Sequence, residues 1–223
     1  MAADIYAIGD IHGNLDLLER LMDQIQPDLA RDRLIFMGDY IDRGPRSHGV
    51  VDYVLRLRNQ APPEQVICLK GNHEAMFLNF MQGREVDLFL YNGGMNTLRD
   101  YWGKDWENQE ELVLPADHRS FLEGLRLYYE TEAYIFVHGG LKPGVPMAEQ
   151  QEEDLLWIRG DFIASMEDFG KKVIFGHTPF HQPLVMPNKI GIDTGAAYGN
   201  RLTCLQLPQE KFISVGHEVS DAG

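Results

Sequence analysis

The sequence predicts an α/β fold in which parallel strands deliver polar side chains to one edge of a sheet. Three observations lead there. Up to about residue 80, apolar runs of strand length alternate with amphipathic stretches of helical period, the pattern of parallel strands joined by helical crossovers. Five apolar runs end abruptly in Gly, His, Asp or Asn, which core packing alone does not produce. From Leu184 onward, short apolar runs separated by turn residues read as hairpins of a second sheet packed on the first.

Ile5-Tyr6-Ala7-Ile8 is the first strand and runs into Gly9-Asp10-Ile11-His12-Gly13. A helix is expected from Asn14, with Leu15, Leu18, Leu21, Met22 and Ile25 on one face and Pro27 closing it. Leu34-Ile35-Phe36-Met37 reads as a buried second strand. Gly38-Asp39-Tyr40-Ile41-Asp42-Arg43-Gly44 follows, two carboxylates and a guanidinium in one turn, bracketed by glycines that let the backbone leave the strand sharply. A helix around Val50, Val51, Val54, Leu55 and Leu57 ends near Pro62-Pro63. The third strand, Val66 to Leu69, feeds Lys70-Gly71-Asn72-His73-Glu74 and a helix starting near Glu74 that includes Met76, Phe77 and Phe80.

The stretch from about 83 to 128 changes character, with a Gly93-Gly94 break, a Trp102-Gly103 turn and a helix near Ser120 to Leu127. It supplies no strand end and reads as a helical insertion flanking the site, a place for substrate selection or simply structural cover, with Tyr101, Trp102 and Trp106 as its own small core rather than the lining of a substrate groove. Tyr134-Ile135-Phe136-Val137 then leads into His138-Gly139-Gly140, and Val173-Ile174-Phe175 into Gly176-His177-Thr178, with a short helix from about Phe162 to Phe169 between them. The tail strands are Leu184-Val185-Met186, Ile190-Gly191-Ile192, Arg201 to Leu207 and Lys211 to Val215.

A chain of 223 residues with 44% hydrophobic and 24% charged content is expected to form one domain, 1–223, of an ordinary globular protein. The amino terminus lacks a secretory pattern, and no run approaches the roughly 20 apolar residues of a membrane span, so a cytoplasmic protein is expected. A net charge of -14 argues against nucleic-acid and anionic-membrane partners. Cys68 and Cys204 sit in apolar runs as small core residues and form no Cys-x-x-Cys pair.

Asp10, His12, Asp39, Asn72, His138 and His177 together supply carboxylate, amide and imidazole donors, a mixture that suits manganese, iron, zinc or cobalt. The set is too rich in nitrogen for calcium and lacks the thiolates of a structural zinc site. Two such ions about 3.5–4 Å apart need a shared ligand, and Asp39, central in the order of motifs, is the expected bridge. Such a pair acidifies a bridging water for attack on phosphorus. His73 is then the expected proton donor, Asp42 its support, and Arg43 a fork for phosphate oxygens. His48, His118, His181 and His217 are expected at the solvated surface, and Asp193 in a turn or a supporting hydrogen bond.

These motifs, in this order over roughly residues 5 to 200, resemble those of the calcineurin-like metallophosphoesterases, and more narrowly the phosphoprotein phosphatase branch. The resemblance implies two mixed β-sheets packed as a sandwich and flanked by α-helices, with the active site at strand carboxyl ends. It implies one metal on Asp10, His12 and Asp39 and a second on Asp39, Asn72, His138 and His177, with manganese foremost. It also implies His73 as acid beside Asp42, and Arg43, Arg159 and Lys70 as phosphate contacts. Lys70 departs from the family's arginine and loses its bidentate fork. Asn92-Gly93-Gly94 with Thr97-Leu98, and Ile192-Asp193-Thr194-Gly195-Ala196, resemble a bacterial subgroup. The function implied is hydrolysis of phosphoserine, phosphothreonine or phosphotyrosine in proteins, or of a small phosphoester. The alternatives are a symmetrical diadenosine tetraphosphate hydrolase and a non-catalytic phosphate-binding relative.

Overall fold

The apolar runs form strands whose side chains alternate between two cores, as the two-residue period of a strand requires. The structure, a computed structural model, describes residues 3–217. In β1 (Ile5–Ile8), Tyr6 and Ile8 face a core shared with helices, whereas Ala7 faces the opposite sheet. β2 (Arg33–Phe36) and β3 (Val66–Cys68) repeat the pattern, with Leu34, Phe36, Val66 and Cys68 on the helical side and Ile35 and Ile67 between the sheets.

β1, β2 and β3 are parallel; against the second sheet expected for the whole tail, β9 (Arg201–Leu207) and β10 (Lys211–Gly216) join this first one, β9 pairing antiparallel with β1 and β10 with β9, in the order β10-β9-β1-β2-β3. The second sheet places β4 (Tyr128–Glu130), β5 (Tyr134–Val137), β6 (Lys172–Phe175), β7 (Leu184–Val185) and β8 (Lys189–Gly191) in the order β4-β5-β6-β8-β7. Here β5, β6 and β8 are parallel and the two edges antiparallel. The sheets meet through Ala7, Ile35, Ile67 and Leu69 on one side and Phe136, Ile174 and Ile190 on the other, all buried. Two mixed five-stranded sheets flanked by helices are thus the architecture that the motifs imply.

Helix α1 (Leu15–Ile25) buries Leu15, Leu18, Leu21, Met22 and Ile25 on its first sheet. Asn14 does not cap it; its Nδ2 donates to the Ile11 and His12 carbonyls at 2.7 and 2.9 Å and so fastens the loop that follows β1. α2 (Ser47–Gln60) and α3 (Asn72–Met81) lie on the same face. α3 begins two residues before the expected Glu74, because Glu74 Oε2 accepts the Gly71 N–H at 2.9 Å and closes the first turn.

The segment 83–128 forms α4 (Val86–Phe89), α5 (Met95–Trp102) and α6 (Ala116–Glu123). α6 starts after Pro115 and stops at Gly124, earlier than the expected Ser120–Leu127. The aromatics of the segment are not a core of their own: Tyr101 and Trp102 pack 6.2 and 6.3 Å from Phe77, and Trp106 packs 6.3 Å from Phe80. His118, expected in solvent, is buried on α6. Tyr101 Oη at 2.7 Å and Asp52 Oδ1 at 3.0 Å occupy both its ring nitrogens, which is what allows an imidazole to leave water. After α7 (Glu152–Trp157), α8 (Gly160–Ala164) ends well before Phe169, because Lys189 Nζ takes the Phe162 and Ser165 carbonyls and Asn188 takes that of Glu167. No helix among the described residues is long and apolar enough to cross a membrane.

Candidate metal centre

Parallel strands end on the same side, so the residues that follow β1, β2, β3, β5 and β6 converge. Backbone bonds lace their loops together: the Ile11 and His12 N–H groups donate to the Asp39 carbonyl at 3.0 and 2.8 Å, and Gly176 N–H to that of His138 at 2.9 Å. Bonds also cross from sheet to sheet. His138 Nδ1 lies 2.9 Å from the Met37 carbonyl, and the His177 N–H donates to Asp10 Oδ2 at 2.9 Å.

Five predicted site residues have positive φ, namely His12 (49°), Asp39 (53°), Asp42 (71°), Arg43 (66°) and His177 (62°). Each such conformation costs about 1–3 kcal/mol in a non-glycine residue and persists only where its surroundings overdetermine it. Glu74 is one of the groups that do so here. Fully buried, it accepts the N–H groups of Gly71 and Asp39 at 2.9 Å, of Tyr40 at 2.8 Å and of Ile41 at 3.4 Å. Burial, and after it the Asp39 charge, push its carboxyl up to about 8 against the pull of those donors. A side chain at Gly71 would overlap Asp39 Oδ1, so only glycine lets the two loops approach.

The six predicted ligands are all buried, none more than 4% exposed. Asp39 Oδ2 lies 3.4 Å from His12 Nε2 and Asp39 Oδ1 lies 3.4 Å from His138 Nε2, which is itself 3.0 Å from Asn72 Oδ1. With Nδ1 of His12 and His138 donating to the Ile41 and Met37 carbonyls, both Nε2 lone pairs face inward. The His138 lone pair, opposed to Asp39 and Asn72 oxygens, needs a cation between them, whereas that of His12 takes an Arg43 N–H at 2.6 Å that a metal ion would displace. Donors that share one ion at about 2.1 Å stand roughly 3.0–3.4 Å apart at octahedral or tetrahedral angles, matching these separations. Asp10 Oδ1 and His177 Nε2 are buried with no hydrogen-bond partner. The donors therefore fit divalent ions: His12 faces one Asp39 oxygen and His138 with Asn72 the other, and Asp39, His138 and His177 offer donor atoms within 4.8 Å of one another.

The electrostatics agree. Burial opposes the Asp39 charge, but the surrounding imidazoles, His138 first and then His73, hold the carboxyl well below its ordinary range. Burial lowers the rings of His12, His138 and His177, so the charge that faces Asp39 at neutral pH is that of His73. Burial, then the charges of Asp193 and Asp39, raise Asp10, so this oxygen gains from a cation. Burial, then His138, push His177 down to about 2, leaving a neutral ring able to ligate.

His73 stands beside this set. Its Nδ1 is 2.6 Å from Asp42 Oδ2 and its Nε2 is 3.9 Å from Asp39 Oδ2. Burial lowers its pKa, but the carboxylates of Asp39 and Asp42 outweigh that and raise it. Asp42 is held in turn: Thr97 Oγ1 donates to its Oδ1 at 2.6 Å, and its N–H reaches Thr97 Oγ1 and Ser47 Oγ at 2.9 and 3.0 Å. Arg43 Nη1 lies 2.6 Å from His12 Nε2, and its guanidinium stacks on Tyr198 at 5.2 Å. Arg159 Nη1 donates to the His177 carbonyl at 3.0 Å, whereas Lys70 Nζ is ion-paired with Glu152 at 3.0 Å.

Residues the sequence reasoning passed over complete the site. Thr97, Asn96 and Gly93 of the helical segment bond to Asp42 and Arg43, and Ser47 joins them. A sixth strand end, after β8, brings in Asp193, whose Oδ1 accepts the Gly195 N–H at 2.9 Å as the expected turn. Burial pushes its carboxyl up to about 6. The sequence signal for Thr97 is its place in a stretch quoted for the bacterial subgroup; Asp193, expected in a turn, also follows the apolar run Ile190-Gly191-Ile192, and Ser47 carries no signal.

Paired sheets that hold buried nitrogen and oxygen donors at their shared edge define a metallohydrolase, and the chain belongs to the calcineurin-like phosphoesterases, matched over residues 3–221. Members of that family use a binuclear divalent metal centre. Among curated relatives, the asymmetrical bis(5'-nucleosyl)-tetraphosphatase PrpE of Oceanobacillus iheyensis is 26% identical, over 93% of this chain and 90% of its own. That of Halalkalibacterium halodurans is 25% identical, over 93% and 92%. A crystal structure provisionally described as a diadenosine tetraphosphatase matches with a TM-score of 0.77 at 25% identity, over 98% of this chain and 95% of that one. A protein serine/threonine phosphatase from Saccharomyces cerevisiae shares the fold, with a TM-score of 0.65 at 14% identity over 99% and 81%.

Proposed function

We propose that this protein is a metal-dependent phosphohydrolase that cleaves dinucleoside tetraphosphates. The observation that carries the substrate class is an arginine and an outward-facing aromatic on each flank of the centre. Arg43, against His12, stacks on Tyr198, which is 63% exposed. Arg159, on the His177 carbonyl, is two residues from Trp157, which is 36% exposed and 6.0 Å edge-on from the His177 ring. A base can stack on each aromatic while the arginines take phosphate oxygens between them. The names of relatives that span most of this chain support the reading.

One ion is assigned to Asp10, His12 and Asp39, the other to Asp39, Asn72, His138 and His177, with manganese our choice among the ions these donors accept. Bound there, the ions supply Lewis-acid polarisation of phosphoryl oxygens and an acidified water. The chain's own groups do the rest. Arg43 grips a phosphate with its planar fork. His73, with Nδ1 held by Asp42, keeps Nε2 at the centre to protonate the departing oxygen. Lys70, ion-paired with Glu152, keeps further N–H donors for a phosphate.

The His73–Asp42 pair favours a second reading, a phosphatase for phosphoserine, phosphothreonine or phosphotyrosine. A nucleotide leaves as a stable phosphate anion and hardly needs an acid, whereas a serine alkoxide does. Incubation of the manganese-loaded protein with diadenosine tetraphosphate beside a phosphopeptide panel separates the two. ATP plus AMP supports the first reading with asymmetrical cleavage, and two ADP a symmetrical cut. Phosphate released from peptides alone supports the second. No turnover of either, nor of an aryl phosphate, refutes both.

A further inference from the structure

A second group of metal-capable side chains lies in the helical layer, outside the centre described above. His48 and Asp52 stand four residues apart on α2, so they share one face of the helix. His118 reaches the same point from α6. His48 Nδ1 is 3.0 Å from Asp52 Oδ2, and His118 Nε2 is 3.0 Å from Asp52 Oδ1. The three donor atoms all lie within 4.8 Å of one another, and the two rings are 4.6 Å apart.

The surroundings are those of a ligand set. His118 is 1% exposed, and its far nitrogen, Nδ1, is 2.7 Å from Tyr101 Oη on α5, the kind of outer contact that fixes the ring of a ligating histidine. Asp100 accepts the His48 N–H at 2.7 Å, and Asp117 caps the His118 N–H at 3.0 Å. Among the described residues, no lysine or arginine nitrogen lies within 4.0 Å of Asp52, Asp100 or Asp117. Three carboxylates thus gather around two imidazoles with no fixed cation to balance them. Donors sharing one zinc ion at about 2.0–2.1 Å are separated by roughly 3.3 Å in a tetrahedron, against 3.0 Å from each histidine to its own Asp52 oxygen and at most 4.8 Å among the three donor atoms here.

The geometry points to a mononuclear site for a borderline divalent ion of the zinc class, ligated by His48, Asp52 and His118, with its remaining positions open to water. Half-exposed His48 and Asp52 give the ion a path from solvent, with side chains 38% and 45% exposed. Its place would tie α2 to α6 and, through Tyr101, to α5, the helix whose Thr97 holds Asp42.

The experiment compares zinc bound per chain in the full-length protein, His48→Gln and Asp52→Asn. Each is stripped with chelator, re-equilibrated with zinc alone and read by elemental analysis. The parent is expected to hold about one more zinc than either variant, and a zinc-soaked crystal to show anomalous density between His48 and His118. Turnover of an aryl phosphate with manganese should remain that of the parent. Two variants at half-exposed positions guard against a single folding failure, and unfolding without metal confirms that each is intact. Equal zinc content in all three proteins, or anomalous density confined to the strand-end centre, would mean a metal-free network in which Tyr101 donates to His118 and His118 to Asp52, and would overturn the proposal.

Discussion

Glu74→Gln isolates the backbone clamp beneath the metal centre. Oε2 accepts from Gly71 and Asp39 at 2.9 Å, and Oε1 from Tyr40 at 2.8 Å and Ile41 at 3.4 Å. A glutamine keeps one oxygen. Whichever way its amide is turned, two backbone N–H groups lose their acceptor and meet an NH2 instead. A buried donor without a partner costs about 1–3 kcal/mol. Because the Ile41 bond is long and the amide turns to sacrifice the weaker pair, a loss near 3 kcal/mol is expected. For a domain of this size that lowers Tm by roughly 6–12 °C. Asp39 is one of the clamped residues, so metal affinity should also fall about 10–100-fold, as for other supports of ligating groups. Urea unfolding of the metal-free protein and metal content after dialysis, both read above the raised Glu74 pKa of about 8 where its two oxygens are ionised acceptors, report the two effects. A variant within about 0.5 kcal/mol of the parent that retains its metals would show that the four N–H contacts do not hold the turn.

Thr97→Val removes the hydroxyl on Asp42 Oδ1 while Ser47 keeps the Asp42 N–H, so about 1.5–3 kcal/mol of charged hydrogen bond is lost. Turnover of alkyl phosphates should fall roughly tenfold, and the effect should vanish in a His73→Asn background; additive losses would count against a shared route. His73→Asn alone should keep the metals and lose about 10²–10⁴-fold on alkyl phosphates, with far less on aryl phosphates, whose leaving groups need no proton. Equal losses on both would remove His73 as the acid. Trp157→Ala and Tyr198→Ala should each raise KM for diadenosine tetraphosphate by about 5–100-fold, from about 1–3 kcal/mol of stacking per base. Unchanged KM values would leave the aromatics without the role assigned to them.

The strand ends were legible because buried parallel strands read as unbroken apolar runs, and whatever polar residue follows must sit at their edge. Asp10, His12, Asp39, Asn72, His138 and His177 could be found one run at a time. The supports could not. Glu74 reaches residues 33 to 35 positions away, and Thr97 reaches Asp42 across 55, contacts that only the packing of α3 and α5 creates. His118 misled for the same reason, since its neighbours in sequence are polar while its partners come from α2 and α5. Helix limits were missed where side chains from elsewhere took the terminal carbonyls, as Lys189 and Asn188 do after α8.

The place of β1 in its sheet sets an order of events. It pairs on one side with β2, which follows it closely, and on the other with β9, Arg201–Leu207. On a ribosome, β1 keeps a bare edge until Arg201–Leu207 have emerged, and such an edge is a template for wrong pairing. The loop bearing Asp10 and His12 therefore gains its final support late, after His138 and His177 have been synthesised. A released chain ending at Asn200, which keeps β8 and lacks β9, should be unable to retain manganese; if it retains two ions per chain, closure by β9 is not what completes the centre.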